Sequence, residues 1–137
     1  MTTPLQLARA AEELEGVPFR IHGRDPADGV DCIGLLGAAM ARTGRDVTLP
    51  TGYSWRLRDL SQWLPKPESC GFGKVRSGVR SGDVVLIQPG PAQFHLAIAG
   101  RAGRWVHAHA GLRRVVISAE LPAGPIIEHW RLRRVRK

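Results

Sequence analysis

The residue pattern changes character once along the chain, and that change limits the fold. From residue 82 onward five short stretches are β-branched or alternating: "GDVVLIQ" (82–88), "FHLAIAG" (94–100), "RWVHAHA" (104–110), "RRVVISAE" (113–120) and "IIEHWRLRRV" (126–135). Gly- or Pro-containing turns separate them, the pattern of closely spaced strands in an antiparallel sheet or small open barrel. Before them the pattern is helical. Thr3 and Pro4 read as an N-cap and first-turn pair. Leu5, Leu7, Ala11 and Leu14 then recur at helical spacing until Gly16. A loop rich in Gly, Pro and Asp covers 17–29. Small apolar residues without Pro run from Cys32 to Thr43, with Asp31 at the N-cap position, and read as a buried helix. "YSWRLRDLSQWL" (53–64) reads as a short amphipathic helix closed by Pro65 and Pro67. Helices first and strands afterwards predict an α+β fold with the sheet packed on the Cys32 helix.

The bulk numbers fit this. At 137 residues with 43% hydrophobic and 23% charged residues, the chain can bury a core as one domain, expected to span 1–137. No apolar stretch approaches the ~18–20 residues of a membrane span. The N-terminus has no apolar h-region, so synthesis in the cytoplasm without a signal peptide is expected. The net charge of +8 implies an acidic partner such as nucleic acid, an anionic membrane surface or anionic wall polymer. No recognition helix or RNP-like motif supports specific nucleic-acid binding. Two cysteines, Cys32 and Cys70, exclude a four-cysteine zinc site and without export do not suggest a disulfide.

Those cysteines differ in surroundings. Cys70, in "PESCGFG", has nothing chemical beside it, whereas Cys32 opens the buried helix. A helix N-terminus carries roughly half a positive charge, which favours thiolate. His95 and His107 lie on adjacent predicted strands joined by a short turn, which places two imidazoles side by side. One imidazole can take the thiol's proton and a second polar group can orient it, while N–H groups at the helix start stabilise an oxyanion. His109 shares a face with His107 and competes for its role, or serves as a substrate contact. His107, His109 and His95 could instead hold zinc, although nothing then supplies a base or explains the thiol. Asp31 reads as a helix cap or as a binder of a substrate ammonium. Asp83 reads as a turn residue, His22 as a rim residue, His129 as outer-face, and the four tryptophans as core or groove wall.

The stretch "GVPFRIHGRDPADGVDCIGLL" resembles the G-x-P-Y…G…D-C-S/x-G-L block of the NlpC/P60 family. "SGDVVLIQ…FHLAIAG…RWVHAHAG" is similar to that family's G-D-L-V-F-F…H-V-G-I-Y-x-G…F-I-H-A blocks. The resemblance covers residues 5–135. It implies a papain-like fold, with N-terminal helices on a five- to six-stranded antiparallel sheet, and a cysteine peptidase or amidase of bacterial cell walls. By position it assigns Cys32 as nucleophile, His95 as general base and His107 as the third, orienting residue. It implies hydrolysis of an amide in the peptidoglycan stem through an acyl-enzyme, commonly between γ-D-glutamyl and a diamino acid. No cofactor or metal is implied. Phe19 stands where the family usually has Tyr, and Ile33 where many members have Ser; with Asp31 and His109 they are the expected substrate-binding positions. The short form with D-C-x-G-L-L is similar to the phage and gene-transfer-agent branch. It implies delivery by a tail or baseplate, with action in the periplasm or wall, or else a structural part of a tail tip.

Overall fold

A computed structural model describes residues 3–44, 71–90, 93–122 and 124–133. The expected helix at 53–64, Trp55, Trp63 and Cys70 lie outside these residues.

Helix α1 spans Pro4–Glu13. Its start is a reciprocal cap: the Gln6 amide donates to Thr3 Oγ1 at 3.2 Å, and the Thr3 amide donates to Gln6 Oε1 at 2.9 Å. The chain leaves the helix through Gly16, whose φ of 89° suits glycine. Two short strands, β1 (Arg24–Asp25) and β2 (Gly29–Val30), form a small hairpin inside the expected loop. Helix α2 spans Cys32–Arg42 and is buried along almost its whole length, as its run of small apolar residues requires.

Six strands form the sheet: β3 (Phe72–Lys74), β4 (Val84–Gly90), β5 (Gln93–Ala99), β6 (Trp105–His109), β7 (Arg114–Ser118) and β8 (Ile126–Leu132). Their order is β3-β8-β4-β5-β6-β7, and every neighbouring pair is antiparallel. The five expected strands are all present, and β3 extends the sheet beyond β8. Val84, Leu86, Leu96, Ile98, Val106, Ala108, Val115, Trp130 and Leu132 face α1 and α2 and share one core with them. The alternate residues Val85, Ile87, Ala97, Ala99 and Trp105 form a second cluster on the opposite face. Trp105 and Trp130 are both buried in these two layers.

Three features position the site. The β5–β6 ladder holds only at Ile98–Val106 and Ala99–Trp105, so beyond these pairs the register places no partner opposite His95. Residues 16–19 lie along the free edge of β7, with Gly16 N–H donating to Val115 O at 2.9 Å and Phe19 N–H to Arg113 O at 2.9 Å. Gly34, in the first turn of α2, meets the Gly23 carbonyl so closely that a Cβ there would overlap the oxygen. This contact locks the start of α2 under the loop that precedes it.

Candidate active site

Cys32 is the first residue of α2, and Asp31 before it is the N-cap. The Asp31 carboxylate is fully buried and accepts from Ile33 N–H at 3.1 Å and Gly34 N–H at 2.8 Å. It also accepts from His22 N–H at 2.8 Å and from Arg24 Nη1 at 3.1 Å. One side chain thus caps the helix and ties down the 22–24 loop, with His22 in a left-handed conformation at φ 59°. Of the two readings of Asp31 the cap describes this geometry. A substrate ammonium could reach the carboxylate only by displacing these partners.

The thiol of Cys32 rests between the helix start and β5, where the Leu96 main chain, one residue beyond His95, hydrogen-bonds it. Burial, reinforced by the neighbouring Asp31 charge, pushes the thiol up to about 12; hydrogen bonds from the Leu96 and Ile33 main chains and the charge of Arg24 offset only part of this. This reverses the expectation that a helix N-terminus favours thiolate. The helix contributes about half a charge, whereas desolvation and an adjacent full negative charge both favour the neutral form.

His95 and His107 meet across the β5–β6 seam, beyond its paired residues. Their rings are edge-to-face with centroids 5.4 Å apart, and His95 Nε2 lies 3.3 Å from His107 Nδ1. They are diagonal neighbours on diverging strands rather than directly opposed residues. Burial first, then the nearby His107 and His109 rings, pushes His95 down to about 4. Burial and His109 likewise push His107 down to about 4, so both imidazoles are neutral near neutral pH.

The His109 ring lies 5.7 Å from that of His107 and tilted 39° to it, and its Nδ1 accepts the Leu112 N–H at 3.0 Å and so closes the 109–112 turn. The expected zinc alternative finds no support in this geometry: among the described residues no three His, Cys, Asp or Glu side chains converge as metal ligands. Ile33 is a core residue, 1% exposed, so its side chain has no surface to offer a substrate. That corrects its reading as a substrate contact. Phe19 is half-buried against the same core.

A cleft of about 790 Å³ opens beside the histidines, lined in part by Glu15, His107, His109, Arg114, Ser118 and Glu120. Ser118 carried no signal in the sequence. Asp83 also proves to be more than a turn residue. It is fully buried, with His129 Nε2 2.6 Å from Oδ2 and Arg131 donating at 2.8 and 2.9 Å. Burial alone would raise its carboxyl, but hydrogen bonds from Arg131, the Arg80 amide and His129, with Arg131's charge, hold it below the usual carboxylate value. Strand alternation could have found this cluster, because Asp83, His129 and Arg131 fall on one face of β4 and β8.

A thiol at the start of a buried helix, set against strands that carry paired imidazoles, defines the papain-like class of α+β folds. Residues 16–132 match the NlpC/P60 family, and the chain belongs to that family. The NlpC/p60 domain of the peptidoglycan hydrolase SagA has a similar structure, with 26% identity, a TM-score of 0.61, and coverage of 91% of this chain and 97% of that one. An N-acetylmuramoyl-L-alanine amidase from Bacteroides uniformis superposes with a TM-score of 0.62 at 13% identity, covering 96% and 99% of the two chains. NlpC1 from Trichomonas vaginalis gives a TM-score of 0.62 at 16% identity over 93% of this chain, which spans only 44% of that longer protein. No match was found among curated protein sequences.

Proposed function

We propose that the chain is a peptidoglycan hydrolase that cuts an amide of the wall's peptide stem by cysteine catalysis. Cys32 is the nucleophile, His95 the general base and His107 the residue that orients it. The observation that carries this reading is the pairing of His95 Nε2 with His107 Nδ1 at 3.3 Å, one residue from the main chain that contacts the Cys32 thiol. That pairing leaves Nδ1 of His95 as the base.

The site rests as neutral thiol and neutral imidazole. As the scissile carbonyl approaches, His95 takes the thiol proton while sulfur attacks, so charge develops only when substrate excludes water. The N–H of Cys32, in the first turn of α2 where amides have no intrahelical acceptor, donates to the oxyanion. Collapse expels the amine, which takes the proton from His95 and leaves a thioester on Cys32. Water, deprotonated by His95, then releases the acid and restores the thiol.

The mixed-charge cleft beside the histidines suits a peptide carrying both carboxylates and ammonium groups, with His109 and Phe19 as substrate contacts. Residues 1–137 act as one catalytic unit. The similarity of D-C-x-G-L-L to the phage and gene-transfer-agent branch supports delivery on a tail particle, and the +8 charge supports attachment to anionic wall polymer. Mass spectrometry of wall fragments after digestion tests the reaction: new stem-peptide termini are expected and would name the bond. Unchanged fragments from a folded, reduced protein would overturn the proposal. Tail association is tested by whether the protein co-purifies with particles.

A further inference from the structure

The arrangement of polar groups beyond His107 points to a fourth member of the site. Ser118, on β7, is diagonal to His107 across the β6–β7 ladder, in which His107 pairs with Val116 and Trp105 with Ser118. Its Oγ lies 3.4 Å from His107 Nε2, and it donates its only proton to the Glu120 carbonyl at 2.8 Å. The three side chains therefore lie in order on β5, β6 and β7.

We propose that Ser118 is a positioning residue that fixes the tautomers of His107 and His95; this rests on the reading of Cys32 and His95 as nucleophile and base. The hydroxyl proton is committed to the Glu120 carbonyl, the shorter of its two contacts, so toward His107 the oxygen offers lone pairs. Nε2 of His107 must then bring the hydrogen, and in a neutral ring Nδ1 is left as an acceptor. That acceptor faces His95 Nε2, which must carry the hydrogen in its turn. The lone pair of His95 is left on Nδ1, the atom needed to deprotonate a thiol. A carbonyl with no alternative protonation state thus sets the polarity of the whole chain. Burial keeps both rings neutral near pH 7, which is the condition for tautomers to matter.

Without the hydroxyl, His107 is free to carry its proton on Nδ1. Two N–H groups would then oppose each other, or His95 would invert and lose its lone pair at Nδ1. The loss falls on the chemical step and not on substrate binding.

The test combines nitrogen-15 NMR of the imidazoles at pH 7 with kinetics on a stem peptide, for wild type, Ser118→Ala and Ser118→Thr. Both rings are expected as Nε2–H tautomers in wild type and Ser118→Thr, and as a mixture in Ser118→Ala. Ser118→Ala is expected to lose about tenfold in kcat at unchanged KM, less than the ~10²–10⁴ that a positioned base supplies, and Ser118→Thr to restore it. Identical tautomers in Ser118→Ala and wild type, or Nδ1–H on His107 in wild type, would overturn the inference. Should Ser118→Ala not fold, Ser118→Thr against Ser118→Val gives the same comparison with β-branched residues that suit a strand. The spectra do not depend on turnover. A wild type that cleaves nothing would count against the catalytic reading alone, and the tautomers would still decide the role of Ser118.

Discussion

At Cys32 two local effects oppose one another. The helix N-terminus favours a thiolate, while burial and the Asp31 carboxylate favour the thiol, and the latter prevail at about 12. The consequence is a slow thiol: alkylation of Cys32 by iodoacetamide at pH 7, followed by peptide mapping, is expected to lag behind that of an unstructured cysteine peptide. Asp31→Asn removes the charge that raises the thiol and should speed alkylation, provided the cap holds. The paired histidines act in the opposite sense. With His95 lowered to about 4, kcat/KM is expected to stay level from pH 8 to about 5 and fall toward 4. A midpoint near the ordinary histidine value of 6.5 would show that burial does not control the base. The residue types and their order were legible in the sequence, because D-C-x-G-L and the two strand histidines are local patterns. The direction of the thiol's shift was not, since it depends on how Asp31, Leu96 and Arg24 are packed around the sulfur.

The elements were readable where a local signal marks them. Thr3 and Asp31 cap the two helices as their residue types require, and Gly16 follows the end of the first. Five strands showed in their β-branched alternation. β3, only "FGK", has too few residues to carry a period, and the β1–β2 hairpin hides among turn residues. The divergence of β5 from β6 beyond Ile98 is a tertiary event, which is why side-by-side histidines became diagonal ones. The G of D-C-x-G was visible as a motif, but its reason is the Gly23 carbonyl in the loop before α2, a contact only the folded chain makes. Gly34→Ala is therefore expected to separate α2 from that loop and destabilise the protein by more than the ~1–3 kcal/mol of ordinary overpacking, measured by urea unfolding. An effect below that range would mean that the loop yields easily.

On the scale of the whole molecule, acid acts on two separate clusters of the sheet. His95 and His107 have folded values near 4 against 6.5 for the free side chain, so between these values the unfolded chain binds protons that the native state refuses. Stability should fall as pH drops through that window, and His95→Gln should flatten the decline, as read by thermal unfolding at a series of pH values. Asp83 works lower: its depressed carboxyl stabilises the fold above pH 3.8 and loses this contribution as pH falls through its folded value. Asp83→Ala leaves Arg131 and His129 without their partner and is expected to cost about 3 kcal/mol with the cleft intact. The central claim is that Cys32 and not Cys70 attacks the substrate. The most direct measurement is stem-peptide cleavage by wild type, Cys32→Ala and Cys70→Ala under reducing conditions, with folding checked by circular dichroism. Activity unchanged in Cys70→Ala and reduced by about 10³-fold or more in Cys32→Ala is the predicted result. Cleavage that survives in Cys32→Ala at the wild-type rate would contradict the account.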